Sequence, residues 1–101
     1  MTIASYLDLS TKYITAHDAF LLGEHGRFGP SGLTVVPHPY GWFVHIEQNP
    51  EDLAILIPRI RARGYSAAFI ALLYYASDRE CWWANLDQDG GDEAGLPTFE
   101  W

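Results

Sequence analysis

The residues best suited to chemistry lie between positions 87 and 93, where Asp87-Gln88-Asp89-Gly90-Gly91-Asp92-Glu93 sets four carboxylates close together. Acids at alternate positions open a calcium loop, because a hard cation collects oxygen ligands. The EF-hand version takes acids at its first, third and fifth positions and a bidentate Glu at its twelfth. Here those last two positions hold Gly91 and Thr98, so two ligands are missing and no metal or other cofactor is expected. A solvated turn is the simplest account of the segment. A partner-facing account goes further. From Asp87 to the end there are five acids and no base. A patch of one sign steers a surface of the opposite sign towards it.

The other reactive side chains are scattered. His17, His25, His38 and His45 form neither H-x-x-x-H nor E-x-x-H, so a zinc site would have to assemble across the fold. His38 sits in Pro37-His38-Pro39 and reads as a turn residue. Cys81 could serve as a nucleophile beside a distant histidine. It precedes Trp82 and Trp83 in an apolar run, where a buried, inert thiol is the usual case. No G-x-S-x-G occurs. The glycines at 26, 29 and 32 are interrupted by Pro30 and lead into no helix start, so they read as a plain loop.

The elements that position these residues follow from periodicity and punctuation. Ile3 to Ile14 is mixed, with a strand expected around Tyr13. Thr15 and Asp18 have the spacing of a capping box, which starts a helix expected to run to Leu22 and to stop at Gly23 and Gly26. Leu33–Val36 and Trp42–Ile46 flank the turn-rich Pro37–Gly41 and predict a β-hairpin. On its second strand Trp42, Val44 and Ile46 face the core, and Phe43 and His45 face away.

Asn49-Pro50-Glu51-Asp52 carries the cap, the first-turn proline and the acids of a helix N-terminus. Leu53, Leu56, Ile57 and Ile60 then share one face, with Pro58 pointing away from it and Gly64 ending the helix. Ser66 caps a further helix that runs to about Ser77; its stretch Ser66–Ala76, S-A-A-F-I-A-L-L-Y-Y-A, is apolar on every side except for the opening serine and so should lie inside the domain. Glu80 to Leu86 is expected as a strand, with Trp82 and Trp83 on opposite faces, and Asp87 to Pro97 as a loop. The tail Thr98-Phe99-Glu100-Trp101 is a candidate cover for the outward tryptophan. The expected fold is α+β: a small antiparallel or mixed sheet of three or four strands with helices packed on one face, in a single domain spanning 1–101.

Composition limits function. Charged residues are 19% of the chain, and the net charge of −7 arises from scarce bases, Lys12 and five arginines. Direct binding to a nucleic-acid backbone, which needs clustered Lys and Arg, is not expected. A lone cysteine permits no internal disulfide and suits the cytosol. The N-terminus lacks a basic run followed by an apolar segment, and the longest apolar run, 67–76, is far shorter than a membrane span.

Four stretches, T-A-H-D-A-F-L-L, Y-G-W-F-V-H-I, G-Y-S-A-A-F-I-A-L-L and L-P-T-F-E-W, resemble a family of small bacterial domains of unknown function. Its members are carried on plasmids, prophages and genomic islands, near anti-restriction and toxin–antitoxin genes. The resemblance covers the chain from about Ser10 onward and rests mostly on core-type residues. It implies a shared fold and supplies no catalytic residue; the Gly-Pro stretch around Arg27–Gly32 is an addition to the family pattern.

These readings converge on a non-enzymatic, cytoplasmic protein that binds a protein partner with a basic surface. The acidic, aromatic-edged surface would comprise Asp87, Asp89, Asp92 and Glu93 with Trp83 alongside, and the genetic company implies an inhibitor of a host nucleic-acid defence system, of the anti-CRISPR or anti-restriction kind. A second reading is a small regulatory or antitoxin-like homodimer whose aromatics are subunit interface. A third is a minimal metal-dependent or cysteine hydrolase built on His17, His45 and Cys81.

Overall fold

The computed structural model describes residues 6–25, 33–91 and 95–99. Strand β1 (Tyr6–Ser10) is followed by a short 3-10 turn (Thr11–Tyr13) and helix α1 (Ala16–His25). The hairpin β2 (Val35–His38) and β3 (Gly41–His45) comes next, then helices α2 (Pro50–Ala62) and α3 (Ala67–Asp78) and strand β4 (Trp83–Asp87). The sheet order is β1-β4-β3-β2. β1 runs parallel to β4, and the other neighbours are antiparallel. This is the expected α+β architecture, a mixed four-stranded sheet with helices on one face.

Strand alternation divides the sheet. Leu7, Leu9, Val35, Trp42, Val44, Ala84 and Leu86 point towards the helices and are buried or packed against the core. They meet Leu53, Ile57 and Ile60 of α2 and Phe69, Ile70, Leu72, Leu73 and Ala76 of α3, all buried. Pro58 is exposed, on the side of α2 away from this stripe. The local signals read from the sequence hold at atomic detail: Asn49 accepts the Glu51 N–H at 2.9 Å, and Ser66 accepts the Phe69 N–H at 3.1 Å.

The Thr15–Asp18 capping box forms, with Thr15 N–H donating to Asp18 Oδ2 at 3.0 Å and Asp18 N–H to Thr15 Oγ1 at 3.1 Å. Its carboxylate does more than cap. It is wholly buried and accepts the Ser66 N–H at 2.8 Å and the Ser66 hydroxyl at 2.6 Å. One side chain thus ties the start of α1 to the start of α3. Tyr65 lies buried beside it, stacked on Phe69 with ring centroids 4.5 Å apart. Burial, and then the Asp18 carboxylate, push its phenol well above the ordinary tyrosine range.

Four expectations need correction. The first strand is Tyr6–Ser10, not a segment around Tyr13: Leu7-Asp8-Leu9-Ser10 alternates as a strand should, whereas Tyr13 is a buried residue of the 3-10 turn. Helix α1 continues through Gly23 to His25, so that glycine is carried inside the helix rather than stopping it. Helix α3 is not enclosed on all sides. Ala67, Ala71 and Tyr74 are exposed, because alanine counts as apolar yet sits comfortably on the outer face of a helix. The last strand begins at Trp83 and reaches Asp87; Glu80, with φ of 57°, and Cys81 belong to the turn that precedes it.

Candidate functional site

The face of the sheet turned away from the helices carries Tyr6 and Asp8 of β1, Trp83, Asn85 and Asp87 of β4, Phe43 and His45 of β3, and Val36 and His38 of β2. Register places them side by side: Tyr6 opposite Trp83, Trp83 opposite His45, Asp8 opposite Asn85, Asn85 opposite Phe43 and Phe43 opposite Val36. All are half-buried or exposed, and Tyr6 reaches 63% exposure. Tyr6, Val36, Phe43 and Trp83 line a shallow hollow of about 300 Å³. A hollow of this kind, apolar and unfilled by the helices, is an uncommon feature of a small monomeric domain.

Polar side chains stiffen the centre of this face. The Tyr40 backbone N–H donates to His38 Nδ1 at 3.2 Å, which leaves the ring proton on Nε2. That nitrogen lies 2.8 Å from Asn85 Oδ1 and donates to it, and Asn85 Nδ2 donates to Asp8 Oδ1 at 3.0 Å. His38 also tilts against Phe43, ring centroids 4.8 Å apart, and His45 meets Trp83 edge-on at 5.1 Å. The chain His38–Asn85–Asp8 therefore ties three strands together and seats the Phe43 ring, while Trp83 is seated by His45. Both His38 ring nitrogens are hydrogen-bonded.

Of the residues singled out from the sequence, Trp83 and Asp87 fall on this open face, four residues apart on β4 and hence about 13 Å along the strand. Asp89 is exposed in the turn that follows. That turn is fastened to the sheet. Asp87 Oδ1 accepts the Asp89 N–H at 2.8 Å, Gln88 N–H donates to Tyr40 O at 3.0 Å, and Ser10 N–H donates to Gly91 O at 2.8 Å. A Cβ on Gly90 would collide with the Leu9 carbonyl, so the turn passes as close to β1 as a bare backbone allows. Asp92 and Glu93 lie outside the described residues.

Of the aromatic tail expected to cover the outward tryptophan, Trp101 lies outside the described residues, and Phe99 is placed away from Trp83. Phe99 N–H donates to Lys12 O at 2.7 Å, and the residue lines a hollow with Lys12, Tyr40, Gly41 and Trp42, at the Asp87 end of the sheet. Cys81 is buried, with its Sγ donating to Arg79 O at 3.8 Å. His17 stacks with Phe20, ring centroids 6.4 Å apart, while His45 belongs to the open face. Among the described residues no group of three or more His, Cys, Asp and Glu side chains is placed to hold a metal ion. Nor is any helix among them long and apolar enough to cross a membrane.

Sequence reasoning missed Tyr6, Asp8, Val36 and Asn85 as members of this surface. The signal was present in the outward assignment of Phe43 and His45 and in the L-D-L-S alternation of β1, which together define a second face.

Residues 6–101 match a family of unknown function, DUF5983, over its C-terminal domain. The chain belongs to this family. No curated protein and no solved structure matches it. The membership accords with the resemblance to a domain of unknown function carried by the core-type stretches of the sequence.

Proposed function

We propose that this DUF5983 domain is a non-enzymatic binding module that captures a protein partner on the open face of its sheet, and that the partner's docking surface is basic. The observation that carries the reading is a single juxtaposition. The hollow lined by Tyr6, Val36, Phe43 and Trp83 shares its face with the carboxylates of Asp8 and Asp87. Rigid aromatic rings supply apolar area at little entropic cost, and the surrounding acids select sign and speed the encounter. The −7 net charge extends the same preference over the whole molecule. Proteins that grip nucleic acid present such basic surfaces. The finer reading is an inhibitor, carried by a mobile element, that occupies the basic groove of a host defence enzyme of the CRISPR or restriction type.

The test is capture from the native host with the wild-type protein and with an Asp8→Lys, Asp87→Lys, Asp89→Lys variant. The partner should be retained by the wild type, released as salt rises, and absent from the variant. A variant that captures the same partner equally well would overturn the assignment of this face. Sedimentation at micromolar concentration addresses the homodimer reading. A monomer is expected, and a stable dimer that dissociates on Trp83→Ser substitution would mean that the aromatics bind a second copy instead.

A further inference from the structure

The size of the open face limits what can dock on it. Strands lie about 4.8 Å apart and rise about 3.3 Å per residue, so these four short strands make a face of about 300 Å². A standard interface between two folded proteins takes about 800 Å² from each of them. An α-helix is about 10 Å wide and rises 1.5 Å per residue, so one of about eleven residues spans the same face. Building on the open-face reading, we propose that the occupant is a single short amphipathic helix of the partner, with an apolar side chain in the hollow and a base one turn along.

Register sets the spacing. Tyr6, Trp83 and His45 share one row; Asp8, Asn85, Phe43 and Val36 form the next; Asp87 lies in the third beside Gly41. The hollow spans the first two rows, and the carboxylates stand in the second and third. Anchor and base are therefore about one row apart, roughly 6.6 Å, which a helix covers in four to five residues. A base at i+4 from the anchor keeps to the same side of the helix. Asp8 Oδ1 accepts from the Asn85 amide and Asp87 Oδ1 from the Asp89 N–H, which leaves the second oxygen of each for the partner. Among the described residues neither carboxylate forms an ion pair, and no Lys or Arg stands on this face.

Hydrogen bonding favours a helix over an extended segment. An extended ligand draws affinity from main-chain hydrogen bonds, and the middle of this face has few to give. His38 and Asn85 are bonded to each other and to Tyr40 and Asp8. The remaining polar groups, the Tyr6 hydroxyl and the His45 ring, both lie in the Trp83 row. Pro37 of the edge strand β2 has no N–H to offer a further strand. A helix satisfies its own backbone and asks the face only for side-chain contacts, which the aromatic hollow and the two carboxylates supply.

The probe is a fourteen-residue alanine-based peptide, hydrocarbon-stapled on its outer side, with leucine at its positions 4 and 7 and arginine at 8 and 11. A second peptide exchanges the leucines and arginines, because a helix can lie in either direction. Each is titrated into labelled protein while the Trp83 indole N–H resonance is followed. One of the two should give a saturating shift. An unstapled version broken by two central prolines should bind about tenfold more weakly, and a version with glutamate for arginine should not bind. Affinity should fall about tenfold in an Asp8→Asn, Asp87→Asn variant, which keeps an acceptor for Asn85. Equal binding of the broken or the glutamate version, unchanged affinity in the double variant, or no saturation by either helix below about 10 mM would each overturn the proposal. The open-face reading is judged separately. A basic partner captured by the wild type and lost from the lysine variant, with no response to either peptide, would remove the helix and leave that reading standing.

Discussion

Asp18→Ala should remove about 3–5 kcal/mol of stability, a large part of the roughly 5–15 kcal/mol that holds a domain of this size. The magnitude follows from three donors that converge on one fully buried carboxylate: Thr15 N–H at 3.0 Å, Ser66 N–H at 2.8 Å and the Ser66 hydroxyl at 2.6 Å. Truncation leaves all three without an acceptor, at about 1–3 kcal/mol each when nothing replaces it, and water entering the vacated space recovers part of that. Asp18→Asn should cost less, about 1.5–3 kcal/mol, because one oxygen still accepts while the amide opposes a donor.

Ser66→Ala removes one donor and also the cap on the Phe69 N–H, for about 1–2 kcal/mol. In the double variant the two losses should fall short of their sum, since the groups share one network. Urea denaturation followed by far-UV circular dichroism reads all four proteins. A loss below about 1 kcal/mol for Asp18→Ala at unchanged urea dependence would refute the claim that this carboxylate joins α1 to α3.

Two further outcomes follow from the same coordinates. The Tyr65 phenol is held neutral above its ordinary range near 10, so its contribution is complete below about pH 10 and is lost as pH rises beyond that, where the unfolded chain gives up the proton first. Alkaline denaturation midpoints should therefore show stability falling above about pH 10, with the slope reduced in Tyr65→Phe. Glu80→Gly relieves a left-handed residue worth about 1–2 kcal/mol against about 0.5–1 kcal/mol of added chain entropy, so it should raise stability slightly. Thermal unfolding reads the change, and a loss of stability in this variant would contradict it.

Much of the fold was legible because local rules and tertiary packing agree here. The Asn49-Pro50 start, the Ser66 cap and the Thr15–Asp18 box each predict a helix boundary and each forms the expected hydrogen bond. The misreadings have physical causes. A string of alanines hides the outer face of α3, since hydropathy does not separate a core alanine from a solvent-facing helix former. Glu80 occupies a position that glycine usually marks, so nothing in the residue types announced the turn before β4. Asp18 reads as a cap, and only the approach of Ser66, forty-eight positions away in sequence, makes it a tie between helices.

The site was half legible. Trp83 and Asp87 were named from their own neighbourhood, but the face they belong to is completed by Tyr6 and Asp8 through a parallel pairing of the first and last strands. No local pattern encodes that pairing. The acidic turn gained definition too: its backbone is bound to Tyr40 and Ser10, so Asp87 and Asp89 are displayed on a fixed support rather than on a loose loop.

Site-specific photocrosslinking in the native host tests the open-face assignment most directly. A photoreactive residue replaces Phe43 on the open face, and in a parallel protein it replaces Glu51 on the exposed side of α2. The expected result is a crosslink to a basic host or phage protein from position 43, suppressed by raised salt and by Asp8→Lys with Asp87→Lys, and none of that product from position 51. Crosslinks to the same protein from position 51 alone, or from position 43 only to another copy of this chain, would contradict it.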